Sequence, residues 1–228
     1  MRHAPPLCPE TNSQVFTGLV FRCLYCEDTD GIRIALSFLD RTINETKEAT
    51  DKLKLQIYKT LWGHTGTLAL ALSQAKQAGF DGIEGPAPET VTDALQMKNQ
   101  LSDSGLGYIA EITTAGTYVP DRRASLQQHV DSFALKLEQS MRLDPVFITC
   151  LGGCDAWEED RNRAFFIAAF DLAISAGVTV SFVALRSRAF FYPGVADGIV
   201  RQLPRILLTC ESSQWGVVCE RLLARELE

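Results

Sequence analysis

From residue 55 onward, short runs rich in β-branched and aromatic residues alternate with longer stretches in which apolar residues recur every three or four positions. The short runs predict strands over 56–61 (QIYKTL), 81–85 (DGIEG), 107–113 (GYIAEIT), 145–151 (PVFITCL), 178–185 (VTVSFVAL) and 206–211 (ILLTCE). The longer stretches predict helices near 67–78, 89–103, 124–142, 158–175, 194–202 and 215–226. A strand that returns through a helix enters the sheet parallel to its predecessor, so the pattern reads as six βα units of an α/β protein.

Such units close in one of two ways, as an open doubly wound sheet or as a barrel. The turn after the first predicted strand, WGHTGTL, lacks the GxGxxG spacing, and GxxxxGK[ST] occurs nowhere, so neither phosphate cradle is supported. Several strands end instead in single polar residues: Glu84, Glu111, Arg186 and Glu211. Barrel enzymes build their sites from the C-terminal ends of many different strands.

Residues 1–54 differ from the rest and read as an N-terminal extension to a domain over 55–228. The extension opens with APPLCPE, carries the apolar run VFTGLVFRCLY over 15–25, and from Asp28 continues in a pattern that predicts a helix. That apolar run is short, is broken by Arg22 and has no basic flank, which argues against a membrane span or a signal peptide. With 22 Lys and Arg against 28 Asp and Glu, a net charge of -6, the chain offers no general attraction to nucleic acid or anionic membranes. Seven scattered cysteines suit the reduced thiols of a cytoplasmic protein, and Cys23-x-x-Cys26 lacks the second half of a zinc site.

Taken in order, LWGHTGTLALALSQAKQAGFDGIEGP (61–86), GYIAEITTAGTY (107–118), LGGCDAW (151–157), SFVALRSRAFFYPG (181–194) and PRILLTCESSQWGVVCERLL (204–223) resemble the xylose isomerase-like TIM-barrel superfamily, the sugar phosphate isomerases/epimerases. The resemblance runs from about Leu55 to Leu223 and implies a TIM-barrel-like (β/α) repeat, incomplete at about six units where the family has eight. Family members usually show a pattern like FETHRSR, with a glutamate and a histidine before Arg-x-Arg. Here Val183 and Leu185 take those places, and Arg186-Ser187-Arg188 remains. A second family pattern, TADxSHW, corresponds to TCESSQW, with Glu211 and Gln214 for the metal-serving aspartate and histidine. The chain stops at Glu228 before the strands that bring the remaining family ligands, so the extension or a second copy of the chain is expected to cover the open barrel edge.

The resemblance implies an isomerase or epimerase that moves a proton beside a carbonyl of a small sugar-like or hydroxy-carbonyl metabolite, with a divalent metal (Mg, Mn or Zn) at a weakened site. Glu84 and Glu111 are candidate bases or substrate contacts, against the alternative that each caps a loop or helix. His64 is a candidate base or a structural histidine. Arg186 and Arg188 suit bidentate binding of a substrate anion or a bridge to Glu211, and strand alternation favours Arg186 for the site. Trp62 is a candidate apolar wall for substrate, and Glu211 with Gln214 are the candidate metal ligands. Asp155 is expected to cap the helix that follows it. The competing reading is a degenerate barrel that binds a small molecule or a protein partner without catalysis.

Overall fold

The computed structural model describes residues 34–37, 56–191, 195, 198–199 and 207–210. Among the described residues, seven strands and four α-helices have defined bounds, with a short 3-10 helix at Ala189–Phe191: β1 Ile34–Ser37, β2 Gln56–Thr60, α1 Leu68–Gln77, β3 Gly82–Gly85, α2 Val91–Ser104, β4 Gly107–Thr113, α3 Leu126–Met141, β5 Phe147–Leu151, α4 Glu159–Ser175, β6 Val180–Ala184 and β7 Leu207–Cys210. Residues 195, 198 and 199 are helical, inside the expected helix at 194–202, whereas that over 215–226 lies outside the described residues.

The helices start where short polar side chains can serve the free amides of a first turn. Thr67 caps α1, Thr90 caps α2, and Ser125 caps α3 in a reciprocal box with Gln128. Gly105 ends α2 in the left-handed conformation. The start of α4 departs from expectation. Its N-cap is Glu158 with no side-chain bond, and Glu159 and Asp160 supply first-turn negative charge instead. Asp155 lies further out, accepting from Arg122 Nη2 at 3.3 Å.

The strands stand in the sheet in sequence order, β1 through β7, and each strand from β2 to β6 is parallel to the next. A doubly wound sheet reverses direction at a switch point, whereas a sequential order keeps every crossover helix on one face. The order therefore selects the barrel from the two closures, and the strands form a curled part-barrel.

The N-terminal extension brings one correction. Ile34–Ser37 lies within the stretch whose pattern predicts a helix, yet it is strand β1, antiparallel to β2 in the register Ile34 with Lys59 to Ser37 with Gln56. The edge of β2 carries unpaired amides and carbonyls, and pairing them outweighs the modest helical preference of a four-residue segment.

Alternation gives the sheet two faces. Ile83, Tyr108, Ala110, Ile112, Ile148, Cys150, Phe182 and Ala184 point to the helices and join one core with Phe133 and Leu137 of α3 and Phe165, Phe166 and Ala169 of α4. Phe166 stacks on Phe190 at 4.3 Å and meets Phe182 edge-on at 4.7 Å. Burying each such ring contributes about 2 kcal/mol. At the N-terminal end of the sheet, a Cβ on Gly82 would lie 2.4 Å from the Tyr58 ring, so only glycine lets that ring cross the strand. No helix among the described residues is long and apolar enough to cross a membrane.

Candidate functional site

The other face of the same strands lines the inside of the curl. Register places Thr60, Glu84 and Ile109 in one row, and Glu111, Thr149 and Ser181 in the next. Alternation then puts Val183 of β6 on this face as well. The inner face thus carries Thr60, Glu84, Glu111, Thr149 and Ser181 among its apolar positions.

Thr149 joins the two rows. Its hydroxyl donates to Glu84 Oε1 at 2.7 Å, reaching from β5 past β4 to β3, while its backbone stands in register with Glu111. Glu84 is 8% exposed and Thr149 is buried, so this hydroxyl-to-carboxylate bond is shielded from water. Glu111, half-buried one row nearer the C-terminal mouth, accepts from Tyr118 Oη at 3.1 Å. Both carboxylates act on the Tyr108 phenol, whose pKa is raised first by burial, then by Glu111 and Glu84.

The mouth above Glu111 is aromatic. Trp62 packs edge-on against Tyr118 with ring centroids 5.7 Å apart, and 43% of Trp62 remains exposed. The Trp62 amide is held by Thr60 Oγ1 at 3.1 Å, which ties the first loop to the end of β2. A flat ring beside two carboxylates suits the alternating C–H and O–H faces of a polyhydroxylated molecule.

The structure separates the remaining expected residues. His64 belongs to the turn before α1, where Nε2 lies 3.2 Å from the Thr67 carbonyl. Arg186 is exposed at the mouth. Arg188 is fully buried, and its guanidinium is taken up by backbone carbonyls. Its Nε donates to the Tyr118 carbonyl at 3.1 Å, Nη1 to the Thr114 carbonyl at 2.9 Å and the Gly153 carbonyl at 3.4 Å, and Nη2 to the Thr117 carbonyl. Strand alternation does not govern the pair, because β6 ends at Ala184 and Ser187 turns the chain through φ 68°. Burial, above all, lowers the Arg188 pKa to about 10, which leaves it charged at neutral pH.

Behind Arg188 lies a second buried group. Thr114 Oγ1 accepts from Arg188 Nη1 at 3.3 Å and lies 2.8 Å from His129 Nδ1, and the His129 ring stands edge-on to Trp157. Burial, then Arg188 and Arg161, pushes the His129 pKa down to about 4. Cys150 is buried nearby as a free thiol, its pKa pushed up to about 12 by desolvation, which makes it a packing residue and not a nucleophile.

Glu211 and Gln214 lie outside the described residues, as does Cys23-x-x-Cys26. Among the described residues no group of three or more His, Cys, Asp or Glu converges. Two carboxylates with Thr and Ser hydroxyls fall short of the oxygen shell a divalent cation takes, so the inner rows by themselves do not make a metal centre. Sequence reasoning missed Thr149 and Tyr118. The first was legible as a hydroxyl at an inner position of an apolar strand; the second sits in a loop with no spacing rule to mark it.

Several solved structures share this fold. A protein from Sinorhizobium meliloti matches over 71% of this chain and 64% of its own, with a TM-score of 0.54 and 17% identity. D-allulose 3-epimerase from Methylomonas sp. matches over 65% of this chain and 58% of its own, at 0.52 and 13% identity. D-psicose 3-epimerase, solved in the presence of D-fructose, matches over 69% and 65%, at 0.51 and 13% identity. The chain thus spans less than two thirds of the length of each. No protein-family model and no curated protein matches it. The described strands and helices form a singly wound, parallel part-barrel of the TIM type. At 13–17% identity, the likeness to these structures is one of fold.

Proposed function

We propose that the protein is an isomerase or epimerase that transfers a proton next to the carbonyl of a small polyhydroxylated substrate, with Glu84 and Glu111 as the acid–base groups. The observation that carries this reading is the inner face itself, two carboxylates in successive rows on adjacent strands, each receiving a hydroxyl donor, with an exposed tryptophan at the mouth. Proton transfer beside a carbonyl needs a base on the carbon and a donor near the oxygen, and a hydrogen-bonded carboxylate serves in either state. Trp62 would cover the apolar face of the substrate, and Arg186 at the mouth suits an anionic substituent. The D-allulose and D-psicose epimerases that share the fold support a ketohexose as first probe. A divalent cation held by Glu211 and Gln214 would polarise the carbonyl.

The test is solvent exchange. With D-fructose or D-allulose in D₂O, the wild-type protein, supplied with Mn²⁺, should place deuterium at the carbon beside the carbonyl. Glu84→Gln and Glu111→Gln should each slow this at least about 100-fold, the usual scale of a lost acid–base group. A second reading, small-molecule binding without catalysis, is favoured by the apolar Val183 on the inner face of β6, where the resembled family carries an acidic strand end. Saturable sugar binding in equilibrium dialysis without deuterium incorporation would select it over the first.

A further inference from the structure

We propose that Arg188 is the positioning residue of this site, a buried cation at the end of β6 that holds the loop after β4 in the one conformation where the Tyr118 hydroxyl reaches Glu111. This deepens the acid–base reading above and rests on it for its functional consequence. The loop is not one that the chain adopts unaided. Ala115 sits at φ 42° and Gly116 at φ 128°, and a Cβ on Gly116 would lie 2.7 Å from the Val119 carbonyl. A left-handed alanine costs about 1 kcal/mol and persists only where its surroundings over-determine it.

Arg188 supplies that determination. Three carbonyls of one turn, those of Thr114, Thr117 and Tyr118, converge on one planar guanidinium, so the turn is fixed at both ends and Tyr118 is fixed by its own carbonyl. The same group reaches Gly153 in the loop after β5, and Asp155 of that loop donates its amide to the Ser187 carbonyl at 3.2 Å. Three consecutive loops of the mouth are thereby joined through the segment that follows β6. The carbonyl dipoles all point their negative ends at the cation, which makes its burial tolerable. A lysine keeps the charge but cannot fork to three carbonyls in one plane.

Three measurements on the full-length protein test the assignment. In Arg188→Lys, with circular dichroism unchanged, amide hydrogen exchange across 114–121 should rise at least tenfold while that of α2 stays at the wild-type rate. In the D₂O assay Arg188→Lys should lower kcat with KM within about twofold. Tyr118→Phe, harmful alone, should add little in the Arg188→Lys background, because the two changes remove the same hydroxyl from Glu111. Wild-type exchange rates across 114–121 in Arg188→Lys, or strictly additive effects of the two substitutions, would overturn the proposal. Should Arg188→Lys fail to fold, Arg188→Gln, which retains planar donors, takes its place under the same criteria. If the wild-type protein exchanges no deuterium with either sugar, the acid–base reading fails, while the amide-exchange arm still decides whether Arg188 holds the loop.

Discussion

On its outer face β4 presents Tyr108, Ala110 and Ile112 to the helices; one residue out of step, on its inner face, it presents Ile109, Glu111 and Thr113. The outer positions join one core with residues of α2, α3 and α4, where a polar group needs a protein partner, as the Tyr108 hydroxyl has in the Gly85 carbonyl at 2.8 Å. The inner positions face one another across a curve, where a hydroxyl on β5 can reach a carboxylate on β3. The two faces thus differ in kind: the outer face packs the helices onto the sheet, and the inner face carries the hydrogen-bonded carboxylates.

Removing a large outer side chain should do the most to break this contrast. Phe182→Ala would open a hole beside Phe166 and Phe190, and urea unfolding should show a loss of about 3–5 kcal/mol. An inner-face substitution of similar burial should cost less than half of that, and equal losses on both faces would contradict the division.

Acid should act next, through the buried His129 behind the outer layer. The folded chain holds this ring neutral down to pH about 4, whereas the unfolded chain protonates it near 6.5. The unfolded state therefore binds the extra proton between those values. Stability that is fully present above pH 6.5 should be lost as pH falls, by about 3 kcal/mol at pH 4. Unfolding measured at pH 7 and pH 4.5 should give His129→Phe a visibly shallower pH slope than the wild type. Identical slopes would remove His129 as the cause.

The smallest effect is expected from Thr149→Val, which keeps the shape of the inner face and deletes the donor to Glu84. A cost of about 1–2 kcal/mol in unfolding should accompany a larger fall in deuterium incorporation. A stability loss as great as that of Phe182→Ala would mean that Thr149 belongs to the core and not to the site.

The strands and helices over 56–191 were legible because each is written in a local period, two for strands and 3.6 for helices. Glu84 and Glu111 were legible for a related reason, as isolated acids in apolar runs. The strand at Ile34–Ser37 was not, because its conformation depends on an edge that lies twenty residues further along the chain. Asp155 misled because a short acid before a helix has the right chemistry for a cap but here is held by Arg122. The burial of Arg188 was not legible, because its partners lie some seventy residues away, in loops whose course no local pattern records.

By itself, then, the amino-acid sequence determined the βα rhythm, the two faces of each strand and the acids that one face carries, since these depend only on side-chain period and type. The tertiary structure alone decided the single direction of winding, the meeting of Thr149 with Glu84, and which of two arginines two residues apart is exposed at the mouth and which is buried beneath it. Those outcomes depend on how far the sheet curls and where its loops cross, and such distances are set by the packing of the whole core and not by any one segment of the chain.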